Sequence, residues 1–137
     1  MDKRMIFAAI FLTLAGMASR APAQTIDGKA PLVCAVNETY DCAPNRQCIA
    51  DSPEAVNIPR LIRFDFSAKK GFSRQTNGDE RASPISAMQI HEGKLILQGV
   101  EGGYVWSMAV SQTSGAMSLT ISDDAVGVVV FGICMGE

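Results

Sequence analysis

The chain has 137 residues, 47% of them apolar, and carries 12 basic against 14 acidic side chains. This length fits one domain, and a slightly negative net charge lacks the basic surface typical of nucleic-acid binding. One histidine and four cysteines at wide spacings do not form the close Cys or His pairs of a zinc site. We therefore expect no nucleic-acid partner, no metal and no cofactor.

The first 23 residues have the pattern of a secretory leader. A basic start at 1–4 precedes an apolar run at 5–17, and Ala-Pro-Ala at 21–23 gives the small-x-small pattern that signal peptidase recognises. The run is shorter than the about 20 apolar residues of a membrane-spanning helix, although a retained anchor is the alternative. We expect cleavage before Gln24, a periplasmic or secreted domain over 24–137, and no stable membrane insertion.

The next feature along the chain is the cysteine pattern. All four cysteines lie in the part expected to be mature, and an even number in an exported chain predicts two disulfides. They are Cys34, Cys42, Cys48 and Cys134.

From Pro59 onward the apolar residues recur with a period of two, which is typical of strands. After a first strand around Cys34, the pattern predicts a strand at 60–66 and a short strand or bulge near 71–74. Further strands are predicted at 84–90, 94–101, 104–111, 116–122 and 126–135. Most of the polar segment 67–83 is predicted as an exposed loop. Gly93 and Gly115 are expected to close turns with positive φ.

Strands at about ten-residue spacing with short turns predict an all-β fold, a single antiparallel meander. Because an open sheet leaves two exposed edges, we expect it to close into a barrel of about seven to eight strands. Closure places the first strand beside the last and so predicts a Cys34–Cys134 disulfide, with Cys42–Cys48 closing a small loop. The alternative pairing is Cys34–Cys48 with Cys42–Cys134.

The residues that could carry catalysis are sparse. His91 is the only imidazole and lies at a predicted turn beside Glu92, and no G-x-S-x-G motif is present. The carboxylate pairs at 79–80 and 123–124 also lie in predicted turns, where acids serve turn geometry. We expect no enzyme, and a hydrolase using His91 ranks last.

Two groups of residues are candidates for binding. Six basic residues cluster in the middle of the chain and form either a solvated loop or a patch for an anionic partner: Arg60, Arg63, Lys69, Lys70, Arg74 and Arg81. Five large side chains either fill the barrel, which we favour, or line a ligand cavity: Phe64, Phe66, Tyr104, Trp106 and Met108.

Four segments stand out besides the leader: VCAVNETYDCAPNRQC at 33–48, RFDF at 63–66, LQGVEGGYVWSMAVSQTSGAMSLTIS at 97–122, and FGIC at 131–134. In these the chain resembles an uncharacterised family of small exported alphaproteobacterial β proteins, which implies a disulfide-bonded β domain and no particular activity. The cysteine-stapled meander is also distantly similar to periplasmic inhibitor barrels, the c-type lysozyme inhibitors and metalloprotease inhibitors. It lacks the Lys-Gly that lysozyme inhibitors would show after Trp106.

The leading functional hypothesis is a monomeric, non-enzymatic binding or inhibitor-type module that acts on an anionic envelope or extracellular protein partner through the basic middle loop. The alternative is a carrier that holds a small apolar ligand inside the barrel. A cavity of several hundred Å³ behind Trp106 would favour the carrier, whereas a solid core with a protruding Arg/Lys loop would favour the binding module.

Overall fold

The computed structural model describes residues 25–137, so the expected leader and its cleavage site lie outside the described residues. This part of the chain contains ten strands and no helix. The strands are β1 (Leu32–Cys42), β2 (Ile49–Asp51), β3 (Leu61–Asp65), β4 (Lys70–Arg74), β5 (Glu80–Pro84), β6 (Ala87–His91), β7 (Lys94–Glu101), β8 (Tyr104–Ser111), β9 (Ala116–Ser122) and β10 (Gly127–Gly136).

All ten strands belong to one antiparallel sheet that curls into a half-barrel. Its order is β5-β4-β3-β1-β10-β9-β8-β7-β6, and β2 pairs separately with β1. The predicted all-β antiparallel class is confirmed. The strand count exceeds the expected seven to eight because β2 and β5 are additional strands. Neither segment is predicted as a strand, and most of β5 lies in the polar segment 67–83 that is expected to be an exposed loop.

The first strand lies beside the last, as the expected closure requires. Cys34 is opposite Cys134 in the β1–β10 ladder, and the two form a disulfide across a sequence separation of 100. The second disulfide joins Cys42 to Cys48. The predicted pairing is confirmed and the alternative pairing is wrong.

The core lies on the inner face of the curled sheet. In β7 and β8 the inward positions follow the predicted period of two, since Leu95, Leu97, Met108 and Val110 are all almost fully buried. Tyr104 departs from this pattern because it begins β8 at the rim of the barrel, where it is 39% exposed.

The two openings of the half-barrel are covered by irregular segments. Ile26 is buried at one end, where Gln112 Nε2 donates a hydrogen bond of 2.7 Å to its carbonyl oxygen. At the other end Ile58 is buried, and the carbonyl oxygen of Arg60 accepts a hydrogen bond of 2.9 Å from Val36 N of β1. Each opening is therefore closed by one isoleucine of an irregular segment.

The curl ends where β5 meets β7 without a continuous ladder. Ser86 N donates to Gln98 O at 2.7 Å just beyond β5, and Trp106 Nε1 donates to Ser83 Oγ at 2.8 Å. A Cβ at Gly99 would collide with the Trp106 ring and the carbonyl oxygen of Pro84. Glycine at this position is what allows β5 and the indole to approach β7.

We predict that removing the Cys34–Cys134 disulfide costs more stability than removing Cys42–Cys48. In the chain-entropy model the longer loop is worth about 4.7 kcal/mol and the shorter one about 2.4 kcal/mol. Urea unfolding of the Cys34→Ala/Cys134→Ala and Cys42→Ala/Cys48→Ala double variants measures both. An equal loss in the two variants would contradict the structural ranking.

We also predict that Gly99→Ala destabilises the fold by about 1–3 kcal/mol, because its methyl group overpacks the contact between β5, Trp106 and β7. Gly127→Ala is the matched control, since a Cβ there meets only Ser122 Cβ at 3.9 Å. The midpoint of thermal unfolding should fall for the first variant and change little for the second. Equal midpoints would show that β5 does not approach β7 this closely.

Candidate binding site

The interior of the barrel is largely filled by side chains. Beside this packed interior lies an apolar cavity of about 70 Å³ that opens partly to solvent, with Ile58, Phe64, Trp106 and Leu119 in its lining. Cavities that hold drug-sized ligands measure about 300–1,000 Å³. The small volume favours filling over the carrier interpretation.

The five large side chains that the sequence singled out do not share one cavity. Phe64 and Trp106 line it, with ring centroids 6.2 Å apart. Met108 is buried in the core and Tyr104 is at the rim. Phe66 lies at the β3–β4 turn, toward the opposite opening.

A cleft of about 220 Å³, lined by both charged and apolar side chains, adjoins the cavity, and the two share Ile58, Pro59 and Arg81 in their linings. We call it the arginine cleft, defined by Glu54, Arg60, Arg74 and Arg81. The chain builds it locally: Arg60 immediately precedes β3, Arg74 ends β4, and Arg81 follows Glu80 at the start of β5. Because β3, β4 and β5 are neighbours in the sheet, these positions meet at one end of the barrel.

The three arginines of the cleft differ in their partners. Arg60 donates to both carboxylate oxygens of Glu54, and Arg81 forms an ion pair with Glu101 of β7. Arg74 lies opposite Glu80 in the β4–β5 ladder but forms no ion pair with any residue in 25–137. Two guanidinium groups are therefore fixed by carboxylates, and the third is free to meet an outside anion.

The other three basic residues of the sequence cluster lie elsewhere. Arg63 is on the outer face of β3, where its Nε donates to Glu137 Oε2 at 2.8 Å. Lys69 and Lys70 lie at the β3–β4 turn, at the opposite end of the barrel from the arginine cleft. The structure thus separates the six residues into three places, and only three of them face a common cleft.

Glu54 is held in its charged form. A hydrogen bond from its own backbone amide, followed by the hydrogen bond from Arg60, lowers the pKa of the Glu54 carboxyl from its ordinary value. Glu54 and Arg60 flank the irregular segment that contains Ile58. The hydrogen bonds to the Glu54 carboxylate therefore orient the Arg60 guanidinium over this segment.

The residues considered for catalysis are exposed and separate. His91 Nε2 is 3.8 Å from Glu92 Oε1, with both side chains at least 70% exposed. Asp123 accepts hydrogen bonds from the backbone amides of Ala125 and Val126, which lower the pKa of its carboxyl and shape the β9–β10 turn. Asp79 accepts a hydrogen bond from Asn77 Nδ2 in the β4–β5 turn. These contacts are those of turn and surface side chains.

A second exposed surface is apolar. On the outer face of the sheet around β1 and β10, the side chains of Leu61, Phe131, Ile133 and Met135 are 44–64% exposed. Phe131 packs edge-on against Tyr40, with ring centroids 6.1 Å apart. On this face Arg63 is paired with Glu137, while Glu38, opposite Phe131 in the ladder, accepts a hydrogen bond from Tyr40 OH.

No protein-family model, curated protein or solved structure matches the chain. Within residues 25–137 no group of three or more His, Cys, Asp or Glu side chains could hold a metal ion. No helix in the described part of the chain is long and apolar enough to cross a lipid bilayer. The two disulfides indicate an oxidising environment, extracellular or periplasmic.

We predict that Arg60→Gln raises the pKa of Glu54 toward its ordinary value without restoring it fully, because the backbone hydrogen bond remains. Because the pKa of Glu54 is lower in the folded protein than its ordinary value, the charged carboxylate stabilises the fold at pH values above the ordinary pKa. This contribution to stability is lost as the pH falls through the lower, folded-state pKa. Carbon-detected NMR titration of the Glu54 carboxyl measures both variants. Identical titration curves would show that Arg60 does not contact Glu54 in solution.

Proposed function

We propose that the protein is an exported, non-enzymatic binding module of the inhibitor type that recognises an anionic protein partner of the envelope or extracellular space through the arginine cleft. The observation that carries this proposal is the guanidinium of Arg74, which lines the cleft and forms no ion pair within the described residues 25–137. Export is supported by the leader-like sequence at 1–23 and by the two disulfides.

The chemistry of arginine supports a carboxylate as the group recognised. A planar guanidinium can donate two parallel hydrogen bonds to one carboxylate, which gives both affinity and orientation. Arg60 and Arg81 are already paired with Glu54 and Glu101, so their guanidinium groups are oriented before a partner arrives and Arg74 is left to meet the partner's carboxylate. Binding then loses little side-chain entropy at these two positions.

The cavity volume supports a binding module over a carrier. About 70 Å³ of apolar space is too small to enclose a ligand of the size that carriers transport. The cleft of about 220 Å³ is open to solvent and carries three arginines, which suits contact with an anionic group that belongs to a larger molecule.

The test compares capture of proteins from an envelope extract by the wild type, Arg74→Gln and Lys70→Gln. Lys70→Gln is the matched control because it removes a charge from the same strand at the other end of the barrel. We expect Arg74→Gln to lower capture of the partner about tenfold, which is the loss of one charge-assisted hydrogen-bonded contact, and Lys70→Gln to leave it unchanged.

Capture should also weaken as salt is added, because the contact is between charges near the surface. Identical sets of captured proteins for all three chains would overturn the proposal that the arginine cleft binds the partner.

A further inference from the structure

We propose that the arginine cleft and the adjoining cavity act as one site for the C-terminus of a partner polypeptide that ends in an aliphatic residue. The terminal carboxylate meets the Arg74 guanidinium, and the last side chain enters the cavity beneath Ile58. This inference rests on the proposed function and adds the chemical identity of the group that is bound.

The first support is the shared wall of the two spaces. Ile58, Pro59 and Arg81 line both the arginine cleft and the apolar cavity. A ligand that uses both must therefore carry an anionic group and an apolar group close together. A C-terminal residue meets this requirement, because its carboxylate and its side chain leave the same Cα atom.

The second support is the size and polarity of the cavity. Its lining is mostly apolar, with Ile62, Phe64, Trp106 and Leu119 among its residues. One water-sized group requires about 10–15 Å³, so about 70 Å³ accommodates about five such groups. The four carbons of a leucine side chain fit this volume, whereas a longer acyl chain does not.

The third support is the charge at the mouth. Glu101 is occupied by Arg81, and Glu54 by Arg60, so neither carboxylate is left to attract a cation. Arg74 is the cation of the cleft lining that forms no ion pair within residues 25–137, and Glu80, opposite it in the β4–β5 ladder, lies outside that lining. An incoming carboxylate completes the pairing, and an incoming amine would leave Arg74 without a partner.

The experiment uses four acetylated peptides as probes. Acetyl-Gly-Gly-Gly-Leu with a free carboxylate carries both recognised groups, its C-terminal amide lacks the charge, and acetyl-Gly-Gly-Gly-Gly with a free carboxylate lacks the side chain. Acetyl-Gly-Leu-Asp-Gly-amide carries its acid internally. Binding is followed from the NMR signals of the Trp106 indole N–H and the arginine Nε–H groups.

We expect the free Leu-ended peptide to bind most tightly. Replacing its carboxylate by an amide should weaken binding about tenfold or more, because a charged contact is lost. Replacing Leu by Gly should weaken binding about tenfold to hundredfold, because a buried side chain is lost. Arg74→Gln should remove the preference for the free carboxylate, and Lys70→Gln should keep it.

A cavity-filling variant tests the apolar half separately. Ser73 lines the cavity, so Ser73→Leu should abolish the preference for Leu over Gly while leaving the preference for a free carboxylate intact. An amide dispersion unchanged from wild type in the two-dimensional NMR spectrum verifies that this variant is folded.

The outcomes distinguish the two proposals. The C-terminus inference is overturned if no peptide binds, or if the internal-acid peptide binds as tightly as the Leu-ended one. The proposal that the arginine cleft binds the partner still stands in that case if Arg74→Gln loses the captured partner. If neither the peptides nor the captured partner depend on Arg74, both proposals fail.

Discussion

The pairing of β1 with β10 is the contact on which the rest of the structure depends. β1 is the one strand that joins the two arms of the described sheet, because β3, β4 and β5 extend from one of its edges and β10 through β6 from the other. The Cys34–Cys134 disulfide joins the two strands where the arms meet. Without this pairing, the two sets of strands would have no common edge.

The candidate site follows from the same constraint. The arm that contains β3 to β5 carries Arg60, Arg74 and Arg81, whereas the other arm carries Glu101 and Trp106. The curl of the sheet brings Arg81 into contact with Glu101, and it brings Ser83 into contact with the indole of Trp106. The cleft and the cavity beside it are therefore properties of the curled sheet and do not belong to either arm alone.

Regular alternation made much of the fold predictable from sequence. The strands Lys94–Glu101, Tyr104–Ser111 and Ala116–Ser122 occur at their predicted bounds, and the predicted turn glycines Gly93 and Gly115 both have a φ of 75°. The disulfide pairing was predictable because sheet closure left one favoured neighbour for Cys134.

The parts that could not be predicted lack this local signal. β5 is polar and ends in proline, and its strand conformation comes from pairing with β4 and from side-chain contacts with Glu101 of β7 and Trp106 of β8. Ile26 and Ile58 are single apolar residues in irregular segments, so no periodicity marks them as covers of the barrel ends. The six basic residues are neighbours in sequence, and only the tertiary fold shows that Arg63, Lys69 and Lys70 lie away from the arginine cleft.

Non-reducing peptide mapping tests the closed, stapled sheet most directly. Cleavage after Lys, Arg and Glu separates the cysteines into peptides 30–38, 39–46, 47–54 and 102–137. The account predicts that 30–38 is linked to 102–137 and that 39–46 is linked to 47–54. A link between 30–38 and 47–54, or a free thiol in 102–137, would contradict it.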